Sequence, residues 1–160
     1  STLVDKIAQL AAEQSWGLYL LGAGPGVAAK AAKVLETRYP ALKIVGCDPA
    51  DPTPADAPGI VARVRAAQPQ VLMVAYGAPK QDFWIAEHGA ACAVPVMIGV
   101  GGSLDFIAGV AVRAPLWVQR MGLEWLHRLV KEPWRWRRML ALPRFALAVL
   151  TKRGAVQPES

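Results

Sequence analysis

Apolar residues in the first hundred or so positions follow two alternating patterns, which predict alternating strands and helices. Short uninterrupted apolar runs predict strands at residues 18–21, 42–47, 71–75 and 94–100. Helical spacing of apolar residues predicts helices at residues 3–14, 27–38, 60–67 and 80–88. Strands without polar alternation belong to sheets covered on both faces, and helical connections imply parallel pairing. We therefore predict an α/β fold, a Rossmann-like three-layer sandwich with a mostly parallel sheet.

The pattern changes after residue 112, where no further strand is predicted. Residues 116–131 and 133–152 have helical patterns, with Pro133 and Pro143 as breaks. A chain of 160 residues is long enough for one large core but short for two. The predicted domains are an α/β core at residues 1–112, a helical appendage at residues 113–153 and a disordered tail at residues 154–160.

Positive charge is concentrated in the predicted appendage. Residues 113–153 contain ten basic and two acidic residues, a net charge of +8, whereas the whole chain carries +6. Tryptophans and aliphatic residues are interleaved with these cations, which indicates an anionic partner such as phosphate, nucleic acid or a lipid surface. No apolar run reaches the roughly 18 residues of a membrane-spanning helix, and the N-terminus lacks the apolar core of a signal peptide. We therefore expect a cytoplasmic protein that spans no membrane.

Three glycine-containing turns follow predicted strands and are expected to meet at the carboxyl edge of the sheet. Glycines there let backbone N–H groups approach a phosphate, although tight structural turns are the alternative interpretation. The ammonium of Lys80 can neutralise a phosphate, and the amide of Gln81 can hydrogen-bond a sugar hydroxyl or a base edge. The candidate donor-binding residues are Gly22, Gly24, Gly26, Lys80, Gln81, Gly101 and Gly102.

The signals for a cofactor or a metal are weak. A dinucleotide fingerprint needs glycine where this chain has Val27, but Asp48 ends the second strand at the position of a ribose-binding acid, so a nicotinamide-dependent enzyme stays an alternative. Cys47 and Cys92 have no metal-ligand spacing and are predicted to be small buried residues. There is no paired-aspartate motif for a divalent ion, so we expect neither metal nor cofactor. Asp105 is expected to cap or orient the start of a helix.

Three segments carry a resemblance to a known family. They are GAPKQDFWIAEH at residues 77–88, IGVGGSLDFIAGVAVRAP at residues 98–115 and LWVQRMGLEWLHRLVKEPWRWRRML at residues 116–140. In their order and spacing they resemble the WecG/TagA/CpsF family of bacterial glycosyltransferases. The resemblance implies an inverting, metal-independent enzyme of cell-surface polysaccharide synthesis. Such an enzyme moves an N-acetylmannosamine-type or related sugar from a UDP-sugar to an undecaprenyl-diphosphate-linked acceptor.

The resemblance also implies roles for individual residues. Gln81 matches a glutamine that contacts substrate. Guanidinium groups suit a diphosphate because they bind two oxygens at once and stay charged. The predicted residues for the acceptor diphosphate are Arg113, Arg128, Arg135 and Arg138. Trp134, Trp136 and Arg137 are predicted to contact an anionic membrane, which implies a peripheral location on the inner face of the plasma membrane.

Two features depart from the family pattern. The family's presumed general base lies in an Asp-Gly motif for which this sequence has no counterpart, so the catalytic base is unassigned and the chain is expected to be incomplete at its N-terminus. The family's loop after the second strand is replaced by DPADPTPADAP at residues 48–58, which leaves the donor sugar open. A nucleotide-binding or nucleic-acid-binding module without activity stays an alternative. The aliphatic residues between the charges argue against nucleic acid, and a homo-oligomer is also open.

Overall fold

The structure, a computed structural model, describes residues 2–49 and 53–111. The predicted appendage and tail lie outside these residues. The described elements are α1 (Thr2–Glu13), β1 (Gly17–Gly22), α2 (Val27–Arg38), β2 (Lys43–Asp48), α3 (Ala57–Ala67), β3 (Val71–Ala75), α4 (Lys80–Cys92), β4 (Val96–Gly99) and α5 (Ser103–Ile107).

The four strands form one parallel sheet in the order β2-β1-β3-β4. After β1 the chain places β2 on one side of that strand, then crosses over and places β3 on the other side. Two connections that leave neighbouring strands in opposite directions open a crevice between them, at the carboxyl ends of the strands. In this sheet that crevice lies between β1 and β3.

Helices cover both faces of the sheet, which confirms the α/β prediction for the described residues. Alternate side chains of β1 point to opposite faces, as the period of two in a strand requires. Leu18 and Leu20 join a core with α1, α2 and α5, whereas Tyr19 and Leu21 join a second core with α3 and α4. Each fully buried leucine stabilises the fold by about 1.5–3 kcal/mol relative to an exposed one.

The expectation that every strand is covered on both faces is confirmed only for the central strands β1 and β3, whose residues are all buried. The two edge strands are more open, with Val45 of β2 40% exposed and Val96 of β4 49% exposed. An edge strand has a neighbour on one side only, so the helices above and below cover it less completely.

Some predicted boundaries need correction, each for a local physical reason. Helix α3 begins at Ala57 rather than at residue 60, since Pro58 lies in its first turn, where a missing N–H is tolerated. Helix α4 continues past Gly89, where a side chain would press on the Met97 side chain of β4 at 3.0 Å. Glycine at this position thus lets helix and strand pack closely instead of ending the helix.

Asp105 was predicted to cap or orient the start of a helix, and it lies at such a start without being the capping residue. The residue before α5 is Gly102, which makes no side-chain capping bond, and Asp105 lies inside the first turn. A carboxylate in the first turn of a helix still interacts favourably with the exposed N–H groups there.

Candidate functional site

The first glycine turn lines an open cleft at the crevice between β1 and β3. The cleft has a volume of about 360 Å³. Its lining residues come from the ends of three neighbouring strands: Gly22, Ala23, Gly24, Pro25, Pro49, Ala75 and Tyr76. Lys80, Gln81, Gly101 and Gly102 lie at the same edge of the sheet but do not line this cleft.

Gly22 and Tyr76 form the floor of the cleft together. Gly22 has φ +88°, and a Cβ there would lie 2.8 Å from the ring of Tyr76. The ring of Tyr76 in turn meets Trp84 edge-on, with 5.8 Å between ring centroids. Glycine is therefore required at position 22 both by the backbone conformation and by the aromatic ring beside it.

The turn after β1 has backbone donors available to a ligand. The Ala23 N–H donates to Ala75 O at 3.3 Å and the Val27 N–H donates to Gly24 O at 3.0 Å, which fixes the shape of the turn. Among the described residues, the N–H groups of Gly24 and Gly26 have no acceptor. Both glycines are exposed, and they precede the twelve-residue helix α2, whose dipole favours an anion at this end.

Gln81 joins the turn after β3 to the turn after β4. Its side chain is 8% exposed, and its Oε1 accepts a hydrogen bond of 2.9 Å from the Gly101 N–H. The amide also fills the space beside Gly99, where a Cβ would lie 2.5 Å from Nε2. The backbone donor of Gly101 is thus already bonded within the protein, whereas Lys80, the first residue of α4, is exposed.

Asp48 has a protein partner at the end of β2. Its side chain is 10% exposed, and Oδ2 accepts a hydrogen bond of 2.7 Å from Arg63 Nε of α3. Burial, together with the negative charge of Asp48, raises the pKa of the nearby Tyr19 above its ordinary value of 10.0. The carboxylate at the position of a ribose-binding acid is therefore buried and paired with an arginine whose own side chain is 54% exposed.

The two cysteines are free thiols. Cys92 is buried, as predicted, whereas Cys47 is only half-buried. Burial raises the pKa of both thiols above 9.0, which lowers the thiolate fraction at neutral pH. Burial at both thiols and the negative charge of Glu36 near Cys47 disfavour a nucleophilic thiolate.

The described part of the chain contains neither a candidate metal site nor a candidate membrane-spanning helix. Residues 2–49 and 53–111 contain no group of three or more His, Cys, Asp or Glu side chains that could hold a metal ion. None of the helices described there is long and apolar enough to cross a bilayer. Independence from a metal stays a prediction.

The predicted acceptor and membrane residues lie outside the described residues. They are Arg113, Arg128, Arg135 and Arg138 for the diphosphate, and Trp134, Trp136 and Arg137 for the membrane. Their roles stay predictions from the resemblance.

Sequence reasoning missed two residues of this edge. Tyr76 directly follows the apolar run of β3, and an aromatic residue between a buried strand and a glycine is a signal that could have been read. Arg63 gave no comparable signal, because its pairing with Asp48 joins residues 15 positions apart through the packing of α3 on β2.

The fold and the cleft together define a class of protein: open parallel α/β proteins with a ligand site at the carboxyl edge of the sheet, where the strand order reverses. Residues 1–157 match the family model of the "Glycosyl transferase WecG/TagA/CpsF family". The chain belongs to this family, which confirms the resemblance seen in its motifs.

Two curated relatives share the name N-acetylglucosaminyldiphosphoundecaprenol N-acetyl-beta-D-mannosaminyltransferase. The protein from Bacillus subtilis is 37% identical over 133 residues, which are 83% of this chain and 51% of that protein. The protein from Bacillus spizizenii is 32% identical over 159 residues, which are 99% of this chain and 60% of that protein. The chain therefore spans between half and two thirds of the length of these relatives.

Proposed function

We propose that this protein transfers a sugar, an N-acetylmannosamine-type residue or a related hexose, from a UDP-sugar to a polyprenyl-diphosphate-linked acceptor. The observation that carries the proposal is the family match, which extends over residues 1–157. The names of both relatives describe an N-acetylmannosaminyl transfer and an acceptor with a diphosphoundecaprenol group.

The donor diphosphate binds at the turn after β1 in this proposal. The cleft of about 360 Å³ falls within the size range of small-ligand sites, roughly 300–1,000 Å³. The N–H groups of Gly24 and Gly26 donate to phosphate oxygens, and the start of α2 adds its dipole. Tyr76, on the floor of the cleft, offers an aromatic surface to the nucleoside.

The proposed reaction is a single displacement with inversion at the anomeric carbon. A hydroxyl of the acceptor sugar attacks that carbon from the face opposite UDP, the bond from carbon to the UDP oxygen breaks, and the hydroxyl proton passes to a general base. Negative charge grows on the departing diphosphate. Backbone N–H groups of the turn stabilise this charge without a metal, and Lys80, exposed at the same edge of the sheet but outside the cleft, adds a positive charge nearby.

Residues 113–153 bind the acceptor in the proposal. Four arginines of that segment, Arg113, Arg128, Arg135 and Arg138, bind the acceptor diphosphate. Its tryptophans, together with Arg137, contact the headgroup region of an anionic membrane, where indole rings and cations are both favoured. The protein then works as a peripheral membrane enzyme on the inner face of the plasma membrane.

The ion pair of Asp48 argues against the nicotinamide-dependent alternative. A dinucleotide site needs an acid at the end of β2 that accepts hydrogen bonds from the ribose hydroxyls. Asp48 is 8% exposed and already bonded to Arg63 through Oδ2, so little of its carboxylate is accessible to a ribose.

UDP titration of the chain tests the donor site. Changes in backbone amide resonances are expected at Gly22, Gly24, Gly26 and Tyr76. A Gly24→Ala variant should weaken UDP binding by about tenfold or more, equivalent to about 1.4 kcal/mol. The added methyl group lies on a residue that lines the cleft, and the fold accommodates it because the nearest atom, Val27 Cγ2, is at an ordinary 3.8 Å.

The matched control is Gly59→Ala on the exposed surface of α3, which should leave UDP affinity unchanged. The proposed donor site is wrong if the chain shows no amide changes with millimolar UDP. It is also wrong if Gly24→Ala binds UDP as tightly as the Gly59→Ala control and the unsubstituted chain do.

A further inference from the structure

Gln81 connects two of the three turns at the carboxyl edge. Its backbone N–H donates to Gly77 O at 3.0 Å, in the turn after β3. Its side chain reaches across to the turn after β4, where Oε1 accepts the Gly101 N–H at 2.9 Å. Since Gln81 is only 8% exposed, this bond is largely shielded from water, and its loss would leave Gly101 with an unsatisfied donor.

Chemistry fixes the orientation of the Gln81 amide. A backbone N–H can only donate, so the amide oxygen must face Gly101 and the NH2 group must point the other way. The space beside Gly99 is filled by this amide, because a Cβ at Gly99 would lie 2.5 Å from Nε2 and 2.7 Å from Cδ. The sequence Gly99-Val100-Gly101 is therefore shaped to accept Gln81, and the positive φ of Gly101, +51°, completes the turn.

We propose that Gln81 is a positioning residue, which acts in sugar transfer by holding the turn after β4 in register with the turn after β3. This inference rests on the proposed function. The side-chain oxygen of Gln81 already accepts the Gly101 N–H, and the NH2 group of the same amide can meet only a hydrogen-bond acceptor. The NH2 group has no partner among the described residues.

Two substitutions at Gln81 separate the two ends of its amide. Gln81→Glu keeps an oxygen acceptor for the Gly101 N–H and loses the NH2 group, whereas Gln81→Leu loses both. Hydrogen exchange of the Gly101 amide is expected to stay slow in Gln81→Glu and to accelerate strongly in Gln81→Leu. Sugar transfer by the protein should fall about a hundredfold in Gln81→Leu, as expected for a site displaced by an ångström. Gln81→Glu should retain the larger part of the activity.

Gly99→Ala tests the same bond without changing Gln81. The new methyl group displaces the amide, so Gly101 exchange should accelerate and transfer should fall as in Gln81→Leu. The matched control is Gln70→Leu, because Gln70 Oε1 accepts the Gly17 N–H at 2.6 Å at the opposite end of the sheet. That variant should expose the Gly17 amide to exchange and lower stability, but leave transfer unchanged.

The proposal is overturned if Gly101 exchange is the same in Gln81→Leu as in the unsubstituted chain. It is also overturned if Gln81→Glu keeps Gly101 protected yet loses as much transfer as Gln81→Leu, since the residue then acts through its NH2 group. If the unsubstituted protein neither binds UDP nor transfers a sugar, the proposed function fails. The exchange experiment still decides in that case whether Gln81 holds the turn.

Discussion

At the scale of single residues, two glycines of the turn after β1 are required for different structural reasons. Gly22 and Gly26 both have positive φ, +88° and +74°. A side chain at Gly22 would collide with Tyr76, whereas a Cβ at Gly26 would meet nothing within 4 Å. The sequence shows the same residue at both positions, and only the packing distinguishes them.

This difference predicts unequal effects of alanine at the two positions. Gly26→Ala should lower the free energy of unfolding by about 1–2 kcal/mol, through backbone strain alone. Gly22→Ala adds an overpacking cost of about 1–3 kcal/mol against Tyr76, and it should also weaken UDP binding by displacing the ring. Urea unfolding followed by circular dichroism measures both variants. Equal losses of stability would mean that Tyr76 moves aside freely.

At the scale of elements, the ion pair of Asp48 and Arg63 fastens α3 to the end of β2. A second ion pair joins α1 to α2 through Asp5 and Arg38, at 2.8 Å. The two carboxylates differ in exposure, 10% for the Asp48 side chain against 25% for that of Asp5, whereas the arginine side chains are about equally exposed, 54% for Arg63 and 49% for Arg38. Water and salt screen the more exposed pair more strongly.

Asparagine substitutions should therefore destabilise the chain to different extents. Asp48→Asn removes the negative charge of a buried carboxylate but keeps an oxygen that can accept from Arg63, and it should cost about 1–2 kcal/mol of unfolding free energy. Asp5→Asn is the matched control and should cost less than about 1 kcal/mol. Denaturant titrations at low and high salt measure both losses. The interpretation of Asp48 as a structural tie is contradicted if the two variants lose the same stability.

At the scale of the whole molecule, charge separates the described core from the segment that follows it. Residues 2–49 and 53–111 carry eight basic and eight acidic side chains, so this part has no net charge. Residues 113–153 carry a net charge of +8. An anionic surface is therefore expected to attract one part of the chain only.

Vesicle binding tests this expectation in the intact chain. Changing Arg135, Arg137 and Arg138 to Glu should lower the affinity for anionic vesicles, measured by co-sedimentation, by about a hundredfold or more. Each basic residue near such a surface contributes about 1 kcal/mol to binding. The charge-matched control changes Lys6, Lys30 and Lys33, all exposed on α1 and α2, to Glu. Equal losses in the two variants would show that net charge, and not residues 113–153, drives binding.

Prediction from sequence was most accurate where local pattern and packing agree. The predicted bounds of α2 and β3 match the structure to the residue, because an alanine-rich helix and a fully apolar strand leave little choice. It was least accurate at Gly89 and Asp105, where a neighbouring strand or the shape of a turn decided the outcome. The site was predicted in part: its turns were found, but Tyr76 and Arg63 were not.

The sequence by itself determined the alternation of strands and helices, the glycine turns at strand ends, the charge of residues 113–153 and the family, because each depends on residue type and local spacing. Only the tertiary structure decided that β1 and β3 flank the cleft, that Asp48 is bonded to Arg63 and that the carbonyl of Gln81 is committed to Gly101. These facts depend on strand order and on contacts between residues distant along the chain, such as the 20 positions from Gln81 to Gly101. Local patterns do not contain that information, because long-range contacts arise only when the helices pack onto the sheet.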